Sequence, residues 1–338
     1  MSINTENRKK IEKLYSIKTV SGSLDKKNNS MYEYVKKELS DFCDDIFADD
    51  IGNVIAVKRS GAENAEKIAL IAAADEAGFV AVDTKSEGKI RLHGIGNPFY
   101  ARLCGREAFQ IEKGKSIYRG VLLSDSSDTD KIGEDSFYLE TEDKNRDISE
   151  GDFICADDPP VFFGDNGICL NGLSSKIFCL SLIDIAKCAG SFSFDVYYIF
   201  AAQHLLGARG EKCAAYTVGA DIAIAFKLIP EGRTKTGAGP VIAFSDGRGR
   251  CSDYVTGGLK EAAEGIGISY QLCAETEKDE ISMIAPFISE GTKTGIIGIS
   301  ASNKKVGTSK CDLRDLRGAA AAACAFLIFS DEKSEENR

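Results

Sequence analysis

The chain has 338 residues, and its 42 Lys and Arg residues against 52 Asp and Glu residues give a formal net charge of −10 at pH 7. This acidic balance excludes the basic surface that a nucleic-acid-binding protein presents to phosphates. A hydrophobic content of 43% excludes disorder of the whole chain. Because the length exceeds what a single hydrophobic core usually spans, we expect two domains.

The first 74 residues predict two helices followed by two strands. Ile11, Leu14 and Tyr15 recur at helical spacing, and residues 31–39 carry a second amphipathic pattern. Residues 54–57 predict a strand that follows a turn. The apolar run 68–74 is too continuous to have a solvated face, so it predicts a central strand of a sheet that is covered on both sides.

The segment 75–165 changes to short β-rich runs, which are typical of a small barrel. These runs are 79–82, 108–111, 120–123 and 137–139, and no long helical pattern interrupts them. Two acidic stretches at 124–135 and 140–152 lack the spacing of a calcium-binding EF-hand loop, so we interpret them as solvated loops.

Helix and strand patterns alternate again after residue 167. A helix is predicted over 176–188, a strand over 195–200, a strand over 221–226 and a last helix over 312–329. The sequence therefore predicts an α/β domain formed by residues 1–74 and 166–338, interrupted by a β-barrel insertion at 75–165.

Neither the cysteines nor the apolar runs indicate an exported or membrane-spanning protein. The eleven cysteines are odd in number, scattered and without a CxxC pair, which is typical of reduced thiols. The apolar run 318–329 is about half as long as a membrane-spanning helix, and the N-terminal residues are too charged for a signal peptide. We therefore expect a cytoplasmic protein with no membrane or nucleic-acid partner.

Common catalytic motifs are absent from the sequence. No complete phosphate-binding loop or dinucleotide fingerprint occurs, and neither a GxSxG nucleophile elbow nor an HExxH motif is present. His93 and His204 are the only histidines, so a histidine-rich metal site cannot be assembled. We interpret His93, within the predicted barrel, as a structural residue.

Short motifs nevertheless follow one another along nearly the whole chain in a familiar order. They are Thr-Val-Ser-Gly at 19–22, Asp-Ile-Gly-Asn at 50–53, Asp-Glu-Ala-Gly-Phe at 75–79, Asn-Gly-Leu at 171–173, the stretch 203–210, Ala-Asp-Ile-Ala-Ile-Ala at 220–225, Gly-Pro at 239–240 and Asp-Leu at 315–316. Together they resemble the tetrahedral, dinuclear-metal aminopeptidases, the glutamyl and deblocking aminopeptidase family, whose members are sometimes labelled endoglucanases.

The resemblance implies a three-layer, zinc-peptidase-type α/β domain with a small β-barrel insertion used for dimerisation. It also implies a homodimer, in many members extended to a twelve-subunit tetrahedral shell, and a cofactor of two divalent metals such as zinc or cobalt.

The positions that the resemblance assigns to the metal ligands and the general base are all substituted. Ala73 stands in place of a ligand histidine, Ser174 in place of the bridging aspartate, and His204 in place of the general-base glutamate. Leu205 replaces a ligand glutamate, Lys227 replaces a ligand aspartate, and Lys305 stands approximately where the last ligand histidine is expected. Alanine and leucine ligate nothing, and two lysines would repel an incoming cation. We therefore expect no metal cofactor.

Three functions are compatible with this substituted pocket, which comprises Ala73, Asp75, Glu76, Ser174, His204, Leu205, Lys227 and Lys305. The first is a member without metallopeptidase activity that serves as a structural, regulatory or ligand-binding subunit, with Asp75 paired to Lys227 or Lys305. The second is a hydrolase that uses Ser174, His204 and Asp75 as nucleophile, base and orienting acid. The third is a protein that binds a small anion or a peptide terminus through Lys227 and Lys305.

Overall fold

A computed structural model of the chain describes residues 5–25, 29–84, 89–96, 98, 100–112, 115–126, 136–141, 148–171, 175–246, 249–274, 291–302 and 307–336. The helices within these ranges are α1 (Thr5–Ser16), α2 (Ser30–Leu39), α3 (Tyr100–Leu103), α4 (Phe178–Cys188), α5 (Arg209–Val218), α6 (Asp253–Gly265) and α7 (Leu313–Glu336). Short 3-10 turns occur at Ser175–Ile177 and His204–Leu206.

The strands fall into a large sheet, a barrel and a small sheet. The large sheet contains β1 (Asp45–Ala48), β2 (Val54–Lys58), β3 (Lys67–Ala73), β12 (Asp195–Ala201), β13 (Ile222–Pro230), β14 (Val241–Asp246), β15 (Gly249–Arg250), β16 (Gln271–Ala274) and β17 (Lys293–Ala301). The barrel contains β4 (Gly78–Asp83), β5 (Lys89–Ile95), β6 (Glu107–Glu112), β7 (Lys115–Ser124), β8 (Phe137–Thr141) and β9 (Phe153–Ala156). The small sheet contains β10 (Val161–Phe163), β11 (Gly167–Asn171) and β18 (Thr308–Asp312).

The large sheet is the centre of a three-layer α/β domain, which confirms the predicted fold class. Its strand order is β1-β2-β12-β3-β13-β17-β14-β15, with β16 paired to β14. The strand predicted at 68–74 is β3, which pairs in parallel with β12 on one side and β13 on the other. Alternate residues of β3 pack against opposite faces: Ile68 and Leu70 enter the core formed with α1, α2, α4, α6 and α7, whereas Ala69 and Ile71 enter the core formed with α5.

The predicted barrel closes in the order β4-β5-β8-β7-β6-β9. Its interior is a separate apolar core, in which the rings of Phe79 and Phe137 stack with their centroids 5.8 Å apart. The short helix α3 lies between β5 and β6, where the sequence indicated no helix. The strand β10 falls within the predicted range 75–165 but pairs with β11 of the small sheet, not with the barrel.

Two further sequence expectations concern helices and thiols. Within the described ranges, no helix is both long enough and apolar enough to cross a membrane. The eleven cysteines all lie within the described residues and form no disulfide, and Cys104, Cys188 and Cys213 are exposed.

The close approach of α5 to β12 depends on a glycine. A Cβ atom at Gly210 would overlap the carbonyl oxygen of Ala202, which is backbone and cannot move aside. We expect Gly210→Ala to lower the free energy of unfolding by about 3 kcal/mol, as overpacking of a rigid site does. Chemical denaturation would measure this loss.

A matched control is Gly257→Ala, because Gly257 lies inside α6 and its new methyl group would have open space around it. Among the described residues, nothing outside the helix comes within 4 Å of that position. Helix propensity predicts that this change stabilises the protein by about 0.5–1 kcal/mol. Equal effects of the two substitutions would show that the close approach at Gly210 is not required.

Candidate functional site

The candidate site lies at the carboxyl ends of adjacent parallel strands. Ala73 at the end of β3 is in register with Ala201 at the end of β12. The chain therefore delivers Asp75 and His204 to the same edge of the sheet, the edge at which ligands and catalytic groups gather in α/β folds. Both side chains are buried.

The loop that carries His204 has an unusual backbone. Gln203 and Ala208, which flank the 3-10 turn, both have left-handed φ values of 53° and 52°. Asn53 fixes both ends of this loop, because its Oδ1 accepts a hydrogen bond from the Ala202 amide at 2.8 Å and its Nδ2 donates to the Gly210 carbonyl at 3.0 Å. Residues other than glycine adopt such φ values at a cost, so the surrounding contacts must hold the loop.

The central interaction of the site is an ion pair between His204 and Glu211. Nδ1 of His204 contacts Oε1 of Glu211, and both side chains are almost completely buried. Burial alone would lower the pKa of His204, but the Glu211 carboxylate and, less strongly, Asp75 raise it above its ordinary value. The structure thus favours a charged imidazolium held by a buried carboxylate.

Asp75 is the second carboxylate of the site. Its Oδ2 accepts a hydrogen bond from the Leu205 amide at 3.3 Å. Burial raises the pKa of Asp75 to about 6, and the positive charge of His204, the neighbouring Ser21 hydroxyl and the Leu205 amide partly offset this rise. Because this pKa lies below 7, the ionised form predominates at pH 7 and adds to the negative field around His204.

Lys227 supplies the second positive charge. It lies inside β13, opposite Gly298 of β17, and not at the end of the strand. Side chains alternate between the two faces along a strand, so Lys227 lies on the same face of β13 as Ala223 and Ala225, which pack against α5. Lys227 is buried, and its ammonium group lowers the pKa of His204, so the two cations are close enough to interact. The predicted pairing of Asp75 with Lys227 or Lys305 stays a prediction.

Glu76, next to Asp75, belongs to a different set of contacts. Its carboxylate accepts hydrogen bonds from the Thr19 amide at 2.9 Å and from the Lys176 ammonium at 3.3 Å. Lys176 is fully buried and the Glu76 side chain is 16% exposed, so this second ion pair is partly shielded from water.

The structure brings together only some of the residues that the sequence placed in the pocket. Asp75 accepts a hydrogen bond from the Leu205 amide, and the charges of Asp75 and Lys227 both act on His204. Ala73 is buried at the end of β3. Ser174 and Lys305 lie outside the described residues, so the proposed Ser174, His204 and Asp75 set stays a prediction, as does the Lys227 and Lys305 pair.

Sequence reasoning missed Glu211 although its pattern carried a signal. Glu211 shares one helical face with Ala214, Ala215 and Val218, all of which are buried. A glutamate in the first turn of that apolar face must be buried as well, and a buried carboxylate requires a cationic partner. His204, the sole histidine of this half of the chain, is that partner.

The residues present do not fit the two-metal centre that the resemblance implies. Nδ1 of His204 is occupied by Glu211, and a buried lysine stands in β13. In the described part of the chain, no group of three or more His, Cys, Asp and Glu side chains could hold a metal ion. Metal chemistry therefore enters no step of the account below.

Comparisons with known proteins place these observations in a family. The profile of the M42 glutamyl aminopeptidase family matches residues 52–321. A candidate aminopeptidase of Acetivibrio thermocellus is 28% identical over 276 residues, which cover 78% of this chain and 80% of that protein.

Two solved structures show how closely the fold is shared. The aminopeptidase of the archaeon Desulfurococcus kamchatkensis superposes with a TM-score of 0.84 at 23% identity, covering 94% of this chain and 93% of the other. The TET1 peptidase of Pyrococcus horikoshii, which can assemble into a tetrahedron or a large octahedral shell, gives a TM-score of 0.80 at 23% identity, covering 95% and 98%. At such identities the likeness shows the fold alone.

The ion pair predicts a large cost for removing one partner. Glu211→Gln should lower the free energy of unfolding by about 3–5 kcal/mol, because it leaves the His204 cation without its carboxylate. The double variant with His204→Gln should lose less than the sum of the two single changes, by about 2 kcal/mol. Glu38→Gln is the control: Glu38 pairs with Lys13 and Lys187 at a partly exposed position and should cost less than about 1 kcal/mol. Additive single effects would contradict the pair.

The raised pKa of His204 also predicts a pH dependence. Its contribution to stability is fully present below the unfolded-state pKa of about 6.5 and is lost as the pH rises through the higher folded-state pKa. The stability difference between the wild type and Glu211→Gln should therefore shrink as the pH rises above 6.5. Urea unfolding at several pH values tests this, and a difference that stays constant would show that His204 is neutral in the folded protein.

Proposed function

The chain belongs to the M42 glutamyl aminopeptidase family, and we propose that it is a member without metallopeptidase activity that serves as a structural subunit of a self-assembled particle. The observation that carries this proposal is the buried His204–Glu211 ion pair at the carboxyl edge of the sheet. A two-metal peptidase needs side chains at this position that are available to bind the ions. In this chain the position holds His204, which is already paired with the Glu211 carboxylate.

Charge balance supports a structural role for the site. Asp75 and Glu211 contribute two negative charges, and His204 and Lys227 contribute two positive ones. A metal centre neutralises its carboxylates with bound ions, whereas this chain neutralises them with groups of its own. These four charged groups stabilise the fold only when all of them are present, because removing one leaves an opposite charge buried without a partner.

Burial favours the structural role over binding of a small anion or a peptide terminus. As whole residues, Asp75, His204, Glu211 and Lys227 are each at most 3% exposed. Lys227 is so deeply buried that an anion in solution does not reach its ammonium group in the folded protein. The anion-binding alternative therefore depends on Lys305.

One observation favours a second candidate function, a metal-independent hydrolase. Nε2 of His204 is buried and has no hydrogen-bond partner among the described residues. A neutral histidine oriented at Nδ1 takes a proton from a nucleophile through this nitrogen. The hydrolase route therefore requires a pH above the raised pKa of His204. In that case Glu211, in contact with Nδ1, would be the orienting acid in place of Asp75, and Ser174 would be the candidate nucleophile.

Assembly and location follow from the family and the thiols. We propose at least a homodimer, and a tetrahedral dodecamer as its extension, because a structure of the same fold forms tetrahedral and octahedral shells. We propose a cytoplasmic location, which the eleven free cysteines support.

Metal analysis and activity assays test the proposal together. We expect less than about one divalent ion per two chains, because the required ligands are replaced. Aminoacyl chromogenic substrates should not be hydrolysed with or without added zinc or cobalt, while the Desulfurococcus kamchatkensis aminopeptidase serves as the positive control. Stoichiometric metal with zinc-stimulated cleavage would overturn the proposal.

The second candidate is separated in the same assay. Hydrolysis that survives EDTA and is lost in both Ser174→Ala and Glu211→Gln would identify the metal-independent hydrolase. Each variant's melting temperature must be measured, because Glu211→Gln is also expected to destabilise the fold.

The expected assembly is tested by light scattering at micromolar concentration. We expect a mass of at least two chains of 36.4 kDa each, since family members build closed symmetric assemblies. A monomeric mass would contradict the assembly proposal without affecting the account of the metal site.

A further inference from the structure

Two short crossings connect the barrel with the α/β domain. Residues 74–77 lead from β3 into β4, and residues 157–160 lead from β9 to β10. The extended segment 17–22, which follows α1, lies against both crossings. It comes from a distant part of the sequence and is not covalently adjacent to either.

The segment makes a parallel β-bridge with the first crossing. The Glu76 amide donates to the Thr19 carbonyl at 2.8 Å, and the Ser21 amide donates to the Glu76 carbonyl at 3.0 Å. The Thr19 hydroxyl adds a hydrogen bond to the Ala74 carbonyl at 2.7 Å. Three backbone groups of a four-residue crossing are therefore satisfied by one segment.

The same segment reaches the second crossing and the end of the barrel. Nζ of Lys18 lies 3.5 Å from Oδ1 of Asp157. Val20 is fully buried in a small apolar cluster with Ile111 of β6 and Cys155 of β9. Any side chain at Gly78, where β4 begins, would collide with Val20. This close contact leaves the barrel little freedom to rotate on the crossings.

A buried ion pair fastens the segment to the α/β domain. Lys176, in the 3-10 turn before α4, has no exposed surface. Its ammonium group donates to the Ile17 carbonyl and to the Glu76 carboxylate, which also accepts the Thr19 amide. One lysine thus ties the α/β domain, the segment and the first crossing together.

We propose that residues 17–22 form a clamp that fixes the orientation of the barrel on the α/β domain, with the Lys176–Glu76 pair as its fastening. The inference concerns coupling between the two domains and does not depend on whether the site is catalytic.

Hydrogen exchange measured by mass spectrometry on the full chain tests the clamp. In Lys176→Met, amides of residues 74–77 should exchange about tenfold faster than in the wild type, because the crossing opens locally. Peptides from β3 and β8 should keep their wild-type rates. Thr19→Val, which removes only the hydroxyl bond to Ala74, should show the same pattern with a smaller increase and keeps the test available if Lys176→Met fails to fold.

The matched control is Lys187→Met. Lys176 and Lys187 both pair with a carboxylate, and each Nζ lies 5.7 Å from the centroid of an aromatic ring, Tyr15 for Lys176 and Phe42 for Lys187. Lys187 lies in the last turn of α4, whereas Lys176 precedes that helix. Lys187→Met should leave residues 74–77 unchanged. Equal rates at 74–77 in Lys176→Met, Thr19→Val and the wild type would overturn the clamp, and so would a uniform acceleration in β3, β8 and the crossing, which would show only a loss of global stability.

Discussion

The site depends on one constraint: a buried charge must keep its counterion. Glu211 is almost fully buried on the apolar face of α5, and the positive charge of His204 offsets the desolvation cost of its carboxylate. The loop between them holds two left-handed residues, and Asn53 bonds to both of its ends. The backbone around His204 is therefore held in a shape that brings the imidazole to the carboxylate.

The same constraint recurs a few residues away. Asp75 and Glu76 are adjacent in sequence but belong to two buried ionic groups, one with His204 and one with Lys176. The first group joins β3, α5 and the His204 loop, and the second joins β3, the segment 17–22 and the turn before α4. Residues 75 and 76, just after β3, thus belong both to the charged site and to the crossing that connects the α/β domain with the barrel.

The fold was largely predictable from the sequence, because its signals are local. The unbroken apolar run of β3 predicts a strand that is buried on both faces. The short β-rich runs of the barrel follow one another with no long helical pattern between them. The exception is β10, which the range 75–165 included, although it pairs with β11. Strand partners that are far apart in sequence, such as β11 and β18, leave no such local signal.

The site was predictable in part. The motifs grouped Asp75, His204 and Lys227, and the charges of Asp75 and Lys227 both act on His204. The hydrolase alternative paired His204 with Asp75 and Ser174, whereas the contact of Nδ1 is Glu211. Glu211 shares the buried face of α5 with Ala214, Ala215 and Val218, a helical spacing that the sequence analysis did not use. Only the folded loop shows that this face meets His204. The strand position of Lys227 likewise required the register with β17.

The central claim, that side-chain charges occupy the place of a metal centre, is tested most directly by anomalous diffraction from crystals soaked in zinc. The account predicts no zinc peak within bonding distance, about 2.0–2.3 Å, of His204 or Asp75, with Nδ1 of His204 still on Glu211. A zinc ion ligated by His204 and Asp75, with the ion pair to Glu211 broken, would contradict it.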